Sequence, residues 1–402
     1  MSVAAPVDPS TNKVLEAPRL GEPYLLTPGP LTTAYEVKAA MLRDWGSWDG
    51  DFRAMTAALR KRLLSIAGDE VGEFDCVPMQ GSGSFSVEAM LGSFIPRDGK
   101  ALVLMNGAYG KRIAQTLSYL GREHVTIDKG DYMPPRGSEV GAALDADPSI
   151  SHVVVVHCET SSGILNPLKE ISDAVYSRGR KLLVDSMSAF GAVPATQSDF
   201  RYEAIVSSAN KCIEGVPGFG FVIARKTELE AAKGRSHSLS LDIHAQWDYM
   251  NKTGQWRFTP PTHVVAAFLE ALRLHQEEGD VAARGARYRR NRDVMVAGMR
   301  QLGFETLLGD EWLSPIIVTF FSPAHENFKF QRFYDLMKDK GFIIYPGKLT
   351  VADSFRIGCI GRMDEHVMHR VVQAAEASLA EMGVDTATPP SAALAERARL
   401  AA

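Results

Sequence analysis

The chain has 402 residues, of which 45% are hydrophobic and 23% charged, and its formal net charge is -4. This composition is typical of a soluble globular protein, and the mild acidity gives no sign of a nucleic-acid surface. No apolar run approaches the roughly 20 residues that span a bilayer, and the N-terminus lacks a secretory signal. The four cysteines are too scattered for a disulfide framework or a metal site. We therefore expect a cytoplasmic protein with no membrane partner.

Residues 1–23 are predicted to form a loose leader, and residues 24–280 a large domain. From about Val77 to Arg225, short apolar, β-branched runs alternate with helical patterns such as those over 109–121 and 168–179. Within each run, apolar and polar residues do not alternate, which is typical of strands covered on both faces. This arrangement predicts an α/β fold with a mostly parallel sheet, helices on both sides, and ligands beyond the carboxyl ends of the strands. The predicted strands are 101–106, 152–157, 181–187, 203–208 and 219–225.

The pattern changes after about residue 280. A long charged helix over 281–303 leads to separated strands at 315–321, 341–347 and 354–361, and a helix near Met363 to Met382 follows. We predict a smaller α+β domain over 281–384. The tail, 385–402, shows no clear packing pattern and is expected to be disordered or a short loose helix.

The stretch QGSGSFSVEAML places Ser82, Gly83 and Ser84 at the start of a helical pattern. Helix N-termini bind phosphate through unsatisfied N–H groups and the helix dipole. The Walker lysine and the third glycine of GxGxxG are both missing, which disfavours nucleotide binding. Taken alone, such a stretch is more often an ordinary helix cap than a phosphate site.

Two residues at strand ends point to pyridoxal phosphate. Asp185 ends the apolar run KLLVD, where its carboxylate would pair with a protonated pyridine nitrogen. Lys211 follows the run EAIVSS and would arrive at the same edge of the sheet, where its amine would form an imine with the cofactor. Singly, Asp185 is a turn cap and Lys211 a surface group. Together with a phosphate cup, they indicate a lysine-bound cofactor.

Three further side chains are candidates for the same site. Thr160, in HCETSSG, follows a strand and would bond the cofactor's phenolic oxygen; a simple turn explains it equally well. Tyr109, in NGAYGKR, would stack on a pyridine ring or be a half-buried tyrosine. Arg356 lies within an apolar strand, where its planar guanidinium suits a carboxylate or phosphonate. The alternative for Arg356 is a structural salt bridge with Asp353 or Glu365.

By its motifs the chain resembles the class V aminotransferases among fold-type I pyridoxal phosphate enzymes, and in particular the 2-aminoethylphosphonate:pyruvate aminotransferases. The similarity runs from about Tyr24 to Met382. It implies a seven-stranded, mostly parallel sheet between helices, a smaller C-terminal α+β domain, and a homodimer with shared active sites. The motifs include QGSGSFSVEAMLGS, NGAYGKR, HCETSSGILNP, VDSMSAFG, SSANKCIEGVPGFGFVIAR, QWRFTPPTHVV and FRIGCIG.

The resemblance implies roles for individual residues. Lys211 matches the Schiff-base lysine and Asp185 the pyridinium partner. Thr259 matches a threonine that reaches the phosphate of the neighbouring subunit's cofactor, although Pro260 stands where a serine is usual. Arg356 matches the arginine that holds the substrate anion. The remaining matches are the cofactor contacts of Ser82, Gly83, Ser84, Tyr109 and Thr160.

The implied reaction is a ping-pong transamination through the Schiff base on Lys211. It converts 2-aminoethylphosphonate and pyruvate to phosphonoacetaldehyde and L-alanine. The nearest alternative is an alanine- or serine–glyoxylate aminotransferase. A cysteine desulfurase would need a mobile nucleophilic cysteine, and neither Cys212 nor Cys359 is placed for that role. A cofactor-binding regulator would need a DNA-binding module, for which the first 23 residues are too short.

Overall fold

The computed structural model describes residues 18, 21–131, 133–347 and 353–398, together with the backbone of 7–8, 13–14 and 399–401. Most of the predicted leader therefore lies outside the described residues. Lys348, which follows the sequence YPG, also lies outside them. The strands are β1 (Val7–Asp8), β2 (Lys13–Val14), β3 (Tyr24–Leu25), β4 (Phe74–Gln80), β5 (Lys100–Met105), β6 (Glu123–Asp128), β7 (Ile150–Val156), β8 (Cys158–Glu159), β9 (Ile164–Leu165), β10 (Lys181–Asp185), β11 (Ala204–Ser208), β12 (Phe219–Arg225), β13 (Ile317–Phe321), β14 (Phe342–Ile343), β15 (Tyr345–Pro346) and β16 (Ser354–Gly358).

The helices alternate with the strands of the central sheet and then dominate the C-terminal half. They are α1 (Tyr35–Ala39), α2 (Gly50–Ile66), α3 (Gly83–Phe94), α4 (Ala108–Tyr119), α5 (Gly137–Ala146), α6 (Leu168–Tyr176), α7 (Lys226–Ala231), α8 (Ile243–Thr253), α9 (Thr262–Glu278), α10 (Asp280–Gln301), α11 (Phe330–Asp339), α12 (Glu365–Met382) and α13 (Ser391–Ala401), with 3-10 turns at Ala40–Leu42 and Asp310–Trp312. None of the described helices is both long enough and apolar enough to cross a membrane.

The central sheet has seven strands in the order β4-β12-β11-β10-β7-β5-β6. Strands β6, β5, β7, β10 and β11 pair in parallel, and β12 runs antiparallel to both of its neighbours. Because β4 is antiparallel to β12, it points the same way as the other five. The predicted mostly parallel sheet is confirmed.

Both faces of this sheet are buried. In β7, Val153 and Val155 pack into a cluster with α2, α5, α6 and α9, whereas Val154 and Val156 pack against α3, α4 and α8. Successive strand residues point to opposite faces, so a strand covered on both sides must be apolar throughout. The continuous β-branched runs of the sequence follow from this two-sided burial, and the predicted fold class is confirmed.

The two edge strands, β4 and β6, lack the continuous apolar pattern from which strands were predicted. In β4, Asp75 and Pro78 interrupt the apolar pattern, and an edge position tolerates proline because one side of the strand needs no ladder partner. Strand β6 is largely exposed, and its sequence EHVTID contains no apolar run. Neither strand therefore carries the signature of the five interior strands.

A second, three-stranded antiparallel sheet follows in the order β13-β16-β15. Its core includes Phe304, Phe320, Phe333 and Phe355, whose rings contact one another. The prediction of one strand over 341–347 was wrong. The range forms two short strands, of which β14 pairs with β3 and only β15 joins this sheet. The domain boundaries at 280 and 384 remain a proposal.

The tail forms helix α13. Ala393 and Leu394 pack against the core of the second sheet, and Arg397 Nη1 donates to the carbonyl of Thr306 at 2.5 Å. These contacts give the helix a partner that the sequence pattern did not reveal.

Residues 24–34 are held by the C-terminal part of the chain. Strand β3 pairs in parallel with β14, with Tyr24 opposite Phe342. The amide of Gly358 donates to Leu26 O at 2.9 Å, and the amide of Arg362 donates to Thr32 O at 2.8 Å. The segment between these anchors, Thr27–Leu31, is thereby fixed beside the carboxyl edge of the central sheet.

Candidate active site

The carboxyl ends of five parallel strands bring together side chains from distant parts of the sequence. Ser82 follows β4, Tyr109 follows β5, Thr160 follows β7, Asp185 ends β10, and Lys211 follows β11. Since parallel strands place their carboxyl ends at one edge, these residues share one side of the sheet. The topology thus assembles most of the residues that the sequence singled out.

Asp185 lies at the buried centre of this edge. The residue is only 4% exposed, and its Oδ1 accepts a hydrogen bond from the amide of Met187 at 2.9 Å. Burial raises the pKa of Asp185 to about 6, although the Met187 amide and the positive charges of Lys211 and Arg112 oppose the rise. A buried carboxylate in such a place favours a cationic partner, because a nearby positive charge stabilises the ionised form.

Lys211 directs its amine toward the segment 27–31. Its Nζ donates to Pro28 O at 2.7 Å and to Gly29 O at 3.3 Å. Gly29 has a φ of +106°, and a Cβ built on it would lie 2.7 Å from Lys211 Cδ and 2.9 Å from Nζ. Glycine at position 29 is therefore required both by its backbone conformation and by the close approach of the lysine.

Ser82, Gly83 and Ser84 form the N-terminal end of α3, and the Ser82 hydroxyl makes no capping bond to the helix. The ordinary cap considered from sequence is thus not what Ser82 provides. Beside it lies a cavity of about 190 Å³. Its lining includes Gly83, Ser84, Tyr109, Asp185 and Met187. The helix N-terminus, the aromatic ring and the buried carboxylate therefore face one space.

Glu159 makes several hydrogen bonds at this edge that were not predicted from the sequence. It is fully buried, and its Oε2 accepts the amides of Tyr109 at 3.0 Å and Gly110 at 3.1 Å. Its Oε1 accepts the amide of Ser161 at 3.2 Å and its hydroxyl at 2.7 Å. Burial raises the pKa of Glu159, and these four hydrogen bonds counter the rise. The carboxylate fixes the first turn of α4 and thereby the backbone that carries Tyr109. Only the hydroxyl neighbours of Glu159 had been considered from sequence.

Arg356 is fully buried and reaches this edge from β16. Its Nη1 donates to Thr160 O at 2.7 Å, and Nε and Nη2 donate to Pro346 O at 3.0 and 2.9 Å. Its guanidinium also lies 4.9 Å from the ring centre of Tyr345. Burial lowers the pKa of Arg356.

Arg356 forms no ion pair with a carboxylate of the described residues. The salt bridge to Asp353 or Glu365, which was the alternative interpretation of Arg356 from sequence, is therefore not formed. Glu365 instead lies 3.6 Å from Arg290. A buried guanidinium held only by carbonyls and an aromatic ring is suited to an anion supplied from outside the chain.

Thr259 is placed differently from the other predicted residues. Its side chain is exposed, and its backbone lies near the end of β4, where Gln80 Nε2 donates to Phe258 O at 2.9 Å and to Thr259 O at 3.4 Å. Thr259 is thus an exposed residue beside the end of the strand that leads into Ser82–Ser84.

All four cysteines are buried and unpaired with one another. Burial raises the thiol pKa to about 12 for both Cys158 and Cys359, and raises the pKa of Cys212 further still. A protonated, buried thiol is a poor nucleophile. The structure therefore offers no support for the desulfurase alternative.

The chain is similar to known proteins over nearly its whole length. The chain matches the family model for aminotransferase class-V over residues 107–351. It is 87% identical over 383 residues to a 2-aminoethylphosphonate–pyruvate transaminase of Rhizobium meliloti (strain 1021), covering 95% of this chain and 100% of the relative. It is 71% identical to a protein of the same activity from Paraburkholderia xenovorans (strain LB400), covering 96% of this chain and 99% of the relative.

Solved structures give the same fold. An alanine–glyoxylate aminotransferase from Nostoc sp. matches with a TM-score of 0.83 and 22% identity, covering 93% of this chain and 97% of that one. A pyridoxamine–pyruvate aminotransferase from Mesorhizobium loti also has a TM-score of 0.83, with 22% identity and coverage of 96% and 100%.

The fold, with polar and ionisable side chains gathered at the carboxyl edge of a mostly parallel sheet, is that of an α/β aminotransferase. The chain belongs to the class V aminotransferase family, and its cofactor is pyridoxal phosphate. The residues present fit that group, because an amine at Lys211, a buried acid at Asp185 and a helix N-terminus at Ser82–Ser84 supply the three kinds of partner that it needs.

Replacing Gly29 by alanine should impair the site more than it impairs folding. The added Cβ would displace Lys211, and misplacement of a catalytic group by about 1 Å costs on the order of a hundred-fold in rate. Gly21→Ala is the matched control, since Gly21 also has a positive φ (+72°) but no neighbour within 4 Å of the added Cβ. Turnover and thermal unfolding of both variants would be measured. Equal losses of turnover would contradict the importance of the contact with Lys211.

The raised pKa of Asp185 predicts a pH dependence of stability in the cofactor-free protein. Between about pH 4 and pH 6 the unfolded state releases the proton of Asp185 while the folded state keeps it, so stability falls as pH rises and then levels off. The shift of about two units corresponds to roughly 3 kcal/mol. Thermal unfolding of wild type and Asp185→Asn across this range should show the variant gaining relative stability up to about pH 6. A pH-independent difference would contradict the assignment.

Proposed function

We propose that this protein transfers the amino group of 2-aminoethylphosphonate to pyruvate, producing phosphonoacetaldehyde and L-alanine. The observation that carries this proposal is the convergence of the Lys211 amine, the buried Asp185 carboxylate and the carboxylate-free Arg356 guanidinium on one edge of the sheet. The names of the relatives at 87% and 71% identity supply the two substrates.

The cofactor would be held by residues from several elements. Lys211 would bind it covalently through Nζ, Asp185 would hold its ring nitrogen, and the first turn of α3 would take its phosphate through Ser82, Gly83 and Ser84. The ring of Tyr109 would lie against the pyridine, and Thr160 would bond its phenolic oxygen. When bound, pyridoxal phosphate supplies an electron-withdrawing ring that stabilises negative charge at the carbon bearing the amino group.

Lys211 is the proposed acid and base of the reaction. Its Nζ would take a proton from the substrate carbon that bears the amino group and would donate a proton to the aldehyde carbon of the cofactor. The carbonyl of Pro28, 2.7 Å from Nζ, orients that amine. Asp185 stays ionised beside a ring nitrogen that keeps its proton, because each charge stabilises the other in a site removed from solvent.

Arg356 is the proposed anion anchor in both halves of the reaction. It would bind the phosphonate of the amino donor and then the carboxylate of pyruvate. Thr160 and Pro346 accept hydrogen bonds from three of its nitrogens and so set the plane of the guanidinium before substrate arrives. A preset fork loses little freedom on binding an anion.

The proposal includes a homodimer with shared active sites. Large apolar side chains are exposed at Leu42, Trp48, Phe85 and Phe258. Phe85 lies in the first turn of α3, and Phe258 precedes Thr259. Exposed apolar side chains of this size favour contact with another protein chain where they lie together. The exposed hydroxyl of Thr259 would then reach the partner's cofactor phosphate. A cytoplasmic location is also proposed, in keeping with four buried cysteines that form no disulfide.

The activity is tested by alanine formation from pyruvate with 2-aminoethylphosphonate as the only amine. Lys211→Ala should lower turnover by about a thousand-fold or more, since it removes the acid–base group. Borohydride should abolish the visible absorption band of wild type only. Lys169→Ala, at an exposed lysine paired with Asp173, is the control and should behave as wild type. Faster transfer from alanine or serine to glyoxylate would favour the alternative activity, and wild-type turnover by Lys211→Ala would refute the role of the lysine.

The shared site is tested by mixing two inactive variants. Thr259→Glu would place a negative charge against the phosphate, and Lys211→Ala removes the amine. If Thr259 acts on the partner's site, each mixed dimer has one intact site, and an equal mixture should recover about a quarter of wild-type activity. If Thr259 acts within its own chain, every site keeps one defect and no activity returns.

A further inference from the structure

A buried ionic network contacts the turn that carries Lys211. Its members are Glu214, Glu278, Arg284, Arg287 and Tyr288, and none of them is more than 8% exposed. Two carboxylates face two guanidiniums, and the guanidinium of Arg362 acts on the same carboxylates from a greater distance. Buried charges persist where they are paired and hydrogen-bonded in this way.

Glu214 has three partners from one helix. Arg287 Nη2 donates to its Oε1 at 2.8 Å, Tyr288 Oη donates to the same oxygen at 2.5 Å, and Arg284 Nη1 lies 3.5 Å away. Burial raises the pKa of Glu214, but the charges of Arg284 and Arg287 outweigh it and hold that pKa below its ordinary value. Glu214 is therefore a carboxylate at neutral pH.

The turn that carries Lys211 is held by this network at two points. Arg284 Nη1 donates to Cys212 O at 2.5 Å, and the side chain of Glu214 is fixed as described. The amide of Glu214 donates to Lys211 O at 2.7 Å, which closes the turn. Glu214 has a φ of +64°, in the left-handed region that a residue with a side chain avoids. Such a conformation persists only where its surroundings impose it, and it is frequent at functional sites.

The same helix, α10, also forms hydrogen bonds with the loop that follows β16. Arg287 Nη1 donates to Gly361 O at 2.6 Å and to Met363 O at 2.8 Å, and Tyr288 Oη accepts the amide of Gly361 at 3.3 Å. Strand β16 carries Arg356. The network thus joins the turn bearing the amine to the strand bearing the anion anchor.

We propose that Glu214 is a positioning residue for Lys211, which holds the lysine turn in its left-handed geometry and in register with Arg356. The inference rests on the proposed function, because it concerns the residue that would act as its acid and base. Glu214 touches neither substrate nor cofactor in this role. It acts by fixing the backbone from which the amine projects.

Glu278→Gln provides a matched control for Glu214→Gln. Both changes remove one buried carboxylate from the same pair of arginines. Glu278 contacts Arg284 and Arg287 at 2.6 and 2.8 Å but makes no contact with the lysine turn. When Glu278 is neutralised, both arginines keep Glu214 as their anionic partner, so the turn stays held.

Each holoenzyme would be assayed for kcat, for KM with 2-aminoethylphosphonate, for thermal unfolding, and for the pH midpoint of the visible absorption of the lysine-bound cofactor. Glu214→Gln should lower kcat about ten-fold with KM nearly unchanged, and should move the pH midpoint by about half a unit or more. Glu278→Gln should lose comparable thermal stability with kcat and midpoint near wild type. Equal effects of the two variants on kcat, with unmoved midpoints, would overturn the proposal.

Tyr288→Phe serves if Glu214→Gln does not fold. It removes one hydrogen bond to Glu214 and leaves the ring in place, so a smaller fall in kcat and a smaller shift of the same midpoint are expected. An unchanged midpoint and kcat would count against the proposal. The absorption measurement requires no turnover. Absence of alanine formation by the wild-type protein would therefore refute the proposed function while the positioning of Lys211 could still be measured.

Discussion

The carboxylate of Asp185 is the constraint about which the site is organised, because a charge at the end of a fully buried strand is unstable without a cation. Among the described residues, only the amide of Met187 donates a hydrogen bond to it, while Lys211 and Arg112 act from a greater distance. A protonated ring nitrogen would complete this environment. In the proposed site the acid and the cofactor would then stabilise each other, and the folded chain would carry the electrostatic cost until the cofactor bound.

The parallel sheet makes this arrangement possible by delivering loops from five strands to one edge, while β12 alone runs the other way. The second sheet contributes differently. It brings Arg356 to the same edge at the level of Thr160, so the proposed anion anchor comes from a strand with its own hydrophobic core. In the proposed reaction, anion binding and chemistry at the amine would therefore be built on separate sheets, which α10 joins through the network around Glu214.

Sequence patterns predicted what depends on local physics. The five interior strands were predictable because burial on both faces demands continuous apolar runs, and Asp185 and Lys211 were identifiable because each follows such a run. The edge strands β4 and β6 have no such demand and were overlooked. The contact of Lys211 with Pro28, across 183 residues, and the hydrogen bonds of Glu159 to Tyr109 and Gly110 depend on tertiary approach. Contacts of that kind produce no periodic pattern in the sequence.

The pairing of β3 with β14 has a consequence for synthesis of the chain. Tyr24 leaves the ribosome early, but its strand partner, Phe342, emerges only when most of the polypeptide has been made. The carbonyl that orients the lysine lies between Leu26 and Thr32, which are anchored to Gly358 and Arg362. Such distant contacts form late because loop closure must come first. The nascent chain can therefore complete its central sheet before residues 24–34 reach their partners, and the carbonyl of Pro28 can meet the Lys211 amine only after β14 and β16 have been made.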